Sequence, residues 1–165
     1  MVIWFAATAV VITFVVFRSP MIDYRLVALG AVIPLAESPF GAGPLHALVS
    51  PTLVLLVIML ATPRRRLVRR QWLGLPIGMY LHLVLDAAFN VPETFWWPFL
   101  GWSTGADGAP EFSRGWWSVV LEVVGVLTAL WAYRRFGLND QSRREVFVHT
   151  GQLDRAVVGH EAPGC

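Results

Sequence analysis

The sequence predicts an all-α fold, a polytopic helical bundle with about five membrane-embedded helices. Three observations support this prediction: the composition, the lengths of the apolar stretches and the placement of the arginines. Of the 165 residues, 56% are hydrophobic and only 15% are charged. A chain of this size cannot bury so much apolar surface in one small core, so a bilayer must cover the excess.

Five stretches are candidates for these helices. A transmembrane helix needs about 20 mostly apolar residues, and fewer where its flanks are polar. Four stretches approach this length, at Val2–Phe17 and at residues 44–61, 72–91 and 116–133. The remaining stretch, residues 26–36, is the second of the five in chain order; it is short and runs into a segment rich in proline and glycine. Because unpaired backbone is not tolerated against lipid, we expect that segment to line a protein cavity or to lie in the interface.

The arginines predict the orientation of the bundle. Five of them lie between the third and fourth stretches, and four more follow the last stretch; they are Arg64, Arg65, Arg66, Arg69, Arg70, Arg134, Arg135, Arg143 and Arg144. Basic loops stay on the cytoplasmic side, so the N-terminus is expected outside and the C-terminus inside. Residues 1–136 then form the transmembrane domain, and the polar residues 137–165 are expected to be a flexible cytoplasmic tail.

Ionisable side chains within the fourth stretch are the first candidates for function. His82 and Asp86 are four residues apart, which places both on one face of a helix, and Asn90 follows four residues later. An aspartate at the centre of a membrane helix costs about 2.5–3.5 kcal/mol on insertion scales, so such residues usually have a role. The plain alternative is a hydrogen-bonded pair that holds helices together.

Three more polar residues are expected at a similar depth: His46, Glu37 and Glu122. Imidazole and carboxylate groups that converge in a low-dielectric cleft can bind a divalent cation, and this donor set suits zinc or manganese. We therefore predict His46, His82 and Asp86 as metal ligands, with Glu37 as a fourth ligand or general base and Asn90 as a substrate-orienting group. Alternatively, Glu37 and Glu122 reach outer water as solvated side chains.

The residues around this pair carry a family resemblance. Gly-Met-Tyr-Leu-His-Leu-Val-Leu-Asp at positions 78–86 and Phe-Trp-Trp-Pro-Phe at 95–99 resemble the YdjM-type bacterial inner-membrane proteins, known as metal-dependent hydrolases. Residues 23–34 and the pair Leu45 and His46 are similar to the first half of that family. The resemblance implies a compact helical domain in the plasma membrane whose metal-dependent site is carried by His46, His82 and Asp86. The family usually has Pro-Asp here and another acid a few residues later. This chain has Pro-Leu-Ala-Glu at positions 34–37, so one of the two carboxylates is absent and Glu37 is the acid that remains.

Two functions follow from these expectations. The first is a membrane-embedded, metal-dependent hydrolase that acts on a lipid-linked phosphate or ester near the outer leaflet. The second is a non-catalytic subunit or scaffold that packs against a larger envelope enzyme or transporter, with its buried histidines and aspartate in structural hydrogen bonds. Membrane lipids are the expected partners in both, and nucleic acid is not.

Overall fold

The computed structural model describes residues 1–37, 43–101 and 115–159, and all regular structure in these ranges is helical. The all-α fold class is therefore confirmed. The helices are α1 (Val2–Phe17), α2 (Tyr24–Val32), α3 (Val49–Ala61), α4 (Arg66–Trp72), α5 (Gly74–Leu85), α6 (Pro92–Phe95), α7 (Trp116–Arg135), α8 (Gln141–Thr150) and α9 (Arg155–Gly159), with 3₁₀ turns at Ile33–Ala36, Pro44–His46 and Ala88–Asn90. Most of the proline- and glycine-rich segment expected as a cavity wall lies outside the described residues.

Helices α2 and α5 run parallel and in close contact because glycines leave room between their backbones. A Cβ atom added to Gly30 would lie 2.1 Å from the carbonyl oxygen of Leu75, and one added to Gly78 would lie 2.1 Å from that of Val27. Gly74 and Gly78 form the small-xxx-small spacing that allows membrane helices to pack closely. This packing fixes the height of α5 against α2, and α5 carries His82.

Helices α1 and α7 form a second parallel pair. Gly125 of α7 lies against the backbone of Trp4, and the rings of Phe14 and Phe136 meet edge to face with centroids 5.0 Å apart. The ring of Tyr24, at the start of α2, also contacts Phe136, with centroids 6.2 Å apart. The end of α1, the start of α2 and the end of α7 therefore meet at one end of the bundle. We call it the arginine end, after Arg18, Arg25, Arg134 and Arg135.

One helix in the described ranges, α7, is long and apolar enough to cross a membrane. Only 11% of its most apolar stretch is buried within the protein, unlike the core helix of a soluble domain. Three apolar helical stretches are shorter: α1, Tyr24–Ala36 and α3. The bundle of about five membrane-embedded helices stays a prediction.

The fourth predicted stretch, residues 72–91, is not one helix. Helix α5 ends at Leu85, and Ala87 takes a left-handed conformation with φ of 57°. The chain then makes the 3₁₀ turn Ala88–Asn90 and enters the short helix α6. Left-handed backbone disfavours a residue with a Cβ atom, so the sequence carries no strong signal for a break at an alanine.

The segment expected to be a flexible tail, residues 137–165, differs from that expectation over residues 137–159. It forms α8 and α9, and Leu153 and Val157 are buried in the same hydrophobic cluster as Phe14 and Phe136. Gly151 adopts a left-handed conformation after α8, and its carbonyl oxygen accepts a hydrogen bond of 2.9 Å from the Tyr24 amide. Apolar burial and backbone pairing thus attach this segment to the arginine end. Residues 160–165 lie outside the described residues.

Arg25 reinforces this attachment. Its guanidinium binds the carboxylate of Asp23 through Nε and Nη2 at 3.2 and 3.0 Å, and its Nη1 donates to the carbonyl oxygen of Val148. Val148 lies in the last turn of α8, where carbonyl groups lack partners within the helix. The same Asp23 carboxylate caps the start of α2 by accepting from the amides of Arg25 and Leu26. One ion pair therefore stabilises both helix ends.

Candidate metal centre

Three ionisable side chains from two segments meet at the other end of the α2–α5 pair, which we call the histidine end. His82 lies in the last turn of α5, Asp86 follows that helix directly, and His46 closes the 3₁₀ turn Pro44–His46. Their side chains are almost fully buried, with exposed fractions of 0%, 1% and 1%. One ligand atom of each lies within 4.8 Å of the others. The structure therefore brings together the three residues predicted as metal ligands.

The orientation of His82 is set by helix α2 and by α1. Its Nδ1 lies 2.7 Å from the carbonyl oxygen of Ala31, so the ring donates this N–H and keeps Nε2 as its ligating nitrogen. Ala31 is in the last turn of α2, where a carbonyl group can accept from outside the helix. The ring of Phe5 packs over His82 with centroids 4.2 Å apart, and that of His46 meets it edge to face at 5.3 Å. Both contacts limit rotation of the imidazole.

Glu37 lies beside His46. Its Oε2 accepts a hydrogen bond of 2.9 Å from the Leu45 amide and is 3.4 Å from Nδ1 of His46. This oxygen thus holds the turn that carries His46 and lies beside its Nδ1, which leaves Nε2 as the nitrogen for a metal ion. A carboxylate on one nitrogen of a histidine fixes its tautomer and makes the other nitrogen a better ligand. The geometry therefore favours a positioning role for Glu37, whereas its predicted role as fourth ligand or general base stays a prediction.

The donor set fits a divalent transition-metal ion. Two imidazole nitrogens and one carboxylate are a ligand set found in catalytic zinc sites, which keep a fourth position for water or substrate. Imidazole also disfavours magnesium and calcium, which prefer oxygen ligands. Each histidine has the hydrogen bond on Nδ1 that metal-bound histidines usually make. The buried cluster can therefore hold a metal ion, whose identity stays a prediction.

Two other predicted residues do not join the cluster. Asn90 is exposed and ends the 3₁₀ turn after α5, so the prediction that it shares a helical face with Asp86 is wrong because the helix has already ended. Its role in orienting substrate is untested. Glu122 lies on α7 and accepts from the amides of Ile3 and Trp4 at 3.2 and 3.3 Å. It satisfies the first amides of α1, which have no partner within their own helix.

Sequence reasoning missed two parts of the site. The Ala31 carbonyl is a backbone group, so no residue type announces it. Phe5 lies in an apolar helix where every other large side chain has the same character, and only the packing of α1 on α5 selects it. A signal for the Ala31 contact does exist, since the glycines at 30, 74 and 78 mark the close approach of α2 and α5.

Comparison with protein-family models, with curated proteins and with solved structures finds no match for this chain. The resemblance to the YdjM-type proteins therefore remains a hypothesis that depends on the residues quoted above.

Proposed function

We propose that this chain is a multi-pass protein of the plasma membrane and a metal-dependent hydrolase of a lipid-linked phosphate or ester near the outer leaflet. The single observation that carries the hydrolase is the buried cluster of His46, His82 and Asp86, with ligand atoms within 4.8 Å of one another. When bound there, a divalent ion would lower the pKa of a water molecule and polarise a phosphoryl or acyl oxygen.

Exposed apolar side chains support the membrane location. On α3 and α7, many large hydrophobic residues are at least half exposed, including Leu53, Leu56, Val57, Leu60, Val119, Val123, Leu127 and Leu130. An apolar surface of this extent on a monomer indicates contact with lipid or with another protein. Since α1, α3 and the Tyr24–Ala36 run are shorter than a usual span, their embedding needs polar flanks near the bilayer surface.

The orientation follows from the arginine end. Arg18, Arg25, Arg134 and Arg135 lie at helix ends that meet in the structure, and basic residues remain in the cytoplasm. His82 is eight residues along α5 from Gly74, or about 12 Å towards the opposite face at 1.5 Å per residue. In a hydrocarbon core about 30 Å thick, His82 thus lies near mid-membrane, and Asp86, one turn later, lies closer to the outer leaflet.

Within this proposal, the chain's own residues prepare the site. His46, His82 and Asp86 hold the ion, Glu37 positions His46, and the Ala31 carbonyl positions His82. Burial of all three ligands excludes bulk water, which strengthens electrostatic interactions between the site and a reacting phosphoryl or acyl group.

Metal analysis of the purified protein tests the cluster. After loading with zinc or manganese and removal of free ion, we expect about one equivalent per chain and, by linkage, a higher unfolding temperature. A His82→Ala/Asp86→Ala variant should bind less than about a tenth of this amount of metal, because two of the three proposed ligands are lost. Tyr80→Phe is the matched control, since it removes a polar group on the same helix that bonds Thr52 instead. No stoichiometric metal in the wild type would end the proposal.

Activity is tested on the loaded protein in vesicles that contain a diacylglycerol phosphate or a fluorogenic acyl ester. Hydrolysis by the wild type and by Tyr80→Phe, but not by the double variant, supports the enzyme. Metal binding without hydrolysis, together with co-purification of a larger membrane protein, supports the non-catalytic subunit instead.

A further inference from the structure

A groove runs along the seam between α1 and α7, on a different part of the molecule from the metal centre. Its wall is formed by Val11 of α1 and by Val124, Leu127, Thr128 and Trp131 of α7, and its volume is about 380 Å³. The one hydroxyl in this wall, that of Thr128, donates to the Val124 carbonyl oxygen at 2.8 Å. The groove therefore presents an almost wholly apolar surface.

A smaller pocket of about 200 Å³ lies next to this groove at the arginine end, and Trp131 lines both. Arg18, which follows α1, and Arg135, which ends α7, line the pocket together with Phe14 and Val157. None of the described residues that line it is acidic. The guanidinium of Arg135 lies 5.8 Å from the centre of the Phe14 ring, a cation–π contact that holds it at this place. The pocket thus combines two cations with an apolar floor.

We propose that the groove and pocket bind one anionic phospholipid of the cytoplasmic leaflet, with its phosphate on Arg18 and Arg135 and an acyl chain along the α1–α7 seam. This inference depends on the proposed membrane location and not on the metal centre. Guanidinium groups match phosphate oxygens in geometry as well as charge. Each has five N–H donors, so a phosphate contact does not require that either arginine be without other partners.

The dimensions agree with one leaflet. Eleven residues separate Val124 from Arg135 on α7, or about 16 Å at 1.5 Å per residue. The hydrocarbon core of a bilayer is about 30 Å thick, so one leaflet contributes about 15 Å. An acyl chain whose headgroup lies at Arg135 would therefore fill the groove and end near mid-membrane. A net negative headgroup is favoured because, among the described residues that line the pocket, none offers a carboxylate to the ammonium of a zwitterionic lipid.

The test compares lipid binding to detergent-purified full-length protein by native mass spectrometry. Dioleoyl phosphatidylglycerol should bind at least tenfold more tightly than dioleoyl phosphatidylcholine, and glycerol 3-phosphate, which lacks acyl chains, should not bind measurably. An Arg18→Gln/Arg135→Gln variant should lose at least tenfold in affinity for phosphatidylglycerol. Arg64→Gln/Arg65→Gln is the matched control, since it removes the same charge elsewhere and should keep wild-type affinity.

A second variant tests the groove separately from the charges. Leu127→Trp fills the groove and should also weaken the binding of phosphatidylglycerol at least tenfold. Val123→Trp, on the exposed surface of α7 outside the groove, should leave this binding unchanged. Equal binding of the two lipids, or equal losses in both arginine pairs, overturns the site. Binding of glycerol 3-phosphate as tight as that of the lipid overturns it too. If the wild type is absent from the membrane fraction, the membrane location fails and the lipid site fails with it, whereas metal binding is measured independently.

Discussion

The arginine end and the histidine end of the α2–α5 pair both hold ionisable side chains, but they differ in what those side chains meet. At the arginine end, the Asp23 carboxylate has the Arg25 guanidinium at 3.0 Å, and both also bond to backbone groups of helix ends. At the histidine end, Asp86 lies in a cluster with two imidazoles and is buried to 1% exposure. The charges of Asp23 and Arg25 balance each other at the first end, which indicates a structural role for that pair. The second end gathers ligand atoms of the kind that bind metals, which indicates a functional one.

Substitution of Gly78 should affect both ends and has the largest expected effect. In Gly78→Ala the new Cβ would lie 2.1 Å from the Val27 carbonyl oxygen, so α5 must move away from α2. We expect a loss of about 3 kcal/mol in unfolding free energy, the upper part of the range for overpacking. Zinc binding should weaken as well, because His82 loses its contact with Ala31.

Unfolding in detergent, followed by circular dichroism, measures this change. Val84→Ala on the same helix is the control, since Val84 is 63% exposed and its truncation should alter stability by no more than about 0.5 kcal/mol. Wild-type stability in Gly78→Ala would contradict the close packing.

Gly151→Ala should affect the arginine end and leave the histidine end unchanged. Its Cβ would lie 1.6 Å from Oδ1 of Asp23, and its φ of +69° is strained for alanine, so α8 must detach from the start of α2. We expect a loss of about 2 kcal/mol, within the range for a strained residue, with no change in metal stoichiometry. Thr150→Ala, at an exposed neighbour, should have a much smaller effect on the same unfolding measurement. Loss of metal in Gly151→Ala would show that the ends are not independent.

Glu37→Gln should sharpen the assignment at the histidine end. Glutamine can still accept from the Leu45 amide, but it no longer supports His46 with a negative charge. Loss of such a partner costs 10- to 100-fold in metal affinity, and because the contact is 3.4 Å long we expect roughly tenfold. Competition with a chromogenic zinc chelator measures it. Glu122→Gln, which alters an acid that caps α1, should retain wild-type affinity, and equal effects of the two changes would refute the positioning role.

The smallest expected effect is a pH dependence of α8. Hydrogen bonds from the side chain and amide of Ser142, followed by the nearby charge of Arg143, lower the pKa of Asp140 below its ordinary value. A carboxyl whose pKa is lower in the folded state stabilises the fold above its unfolded pKa, and that contribution disappears as the pH falls through the folded value. The protection factor of the Ser142 amide against hydrogen exchange should therefore fall in acid. In Asp140→Asn the asparagine still caps the helix but does not titrate, so the protection factor of the Ser142 amide should not change over the same pH range.

Long apolar runs and the i, i+4 spacing of His82 and Asp86 were enough to predict the helix that carries His82 and to bring together two of the three residues of the cluster. Helix α1 has the predicted bounds, and α7 extends two residues beyond them. That His46 lies beside this pair could be expected only from its predicted depth in the membrane, because the sequence does not specify which segments pack together. Asn90 was placed wrongly because Ala87, a residue that usually continues a helix, ends this one.

Polarity misled the prediction for residues 137–159. The segment has few apolar residues, but Asp140 before α8 and Gly151 after it are common helix start and stop residues, and they bound that helix as observed. Leu153 and Val157 then attach the segment to the hydrophobic cluster that contains Phe14 and Phe136. The number of apolar residues did not indicate whether the segment packs on the protein. A few apolar side chains are enough when Phe14 and Phe136 provide the surface on which they pack.

The bond between Glu122 and the first turn of α1 links residues 119 positions apart in the chain. During synthesis, α1 leaves the ribosome long before α7 exists, and its leading amides have no carboxylate to receive their hydrogen bonds. Helix α1 thus reaches its final environment only when α7 packs alongside it. Completion of α1 therefore waits for a residue more than a hundred positions later, and any product that ends before residue 122 would lack the group that completes this helix.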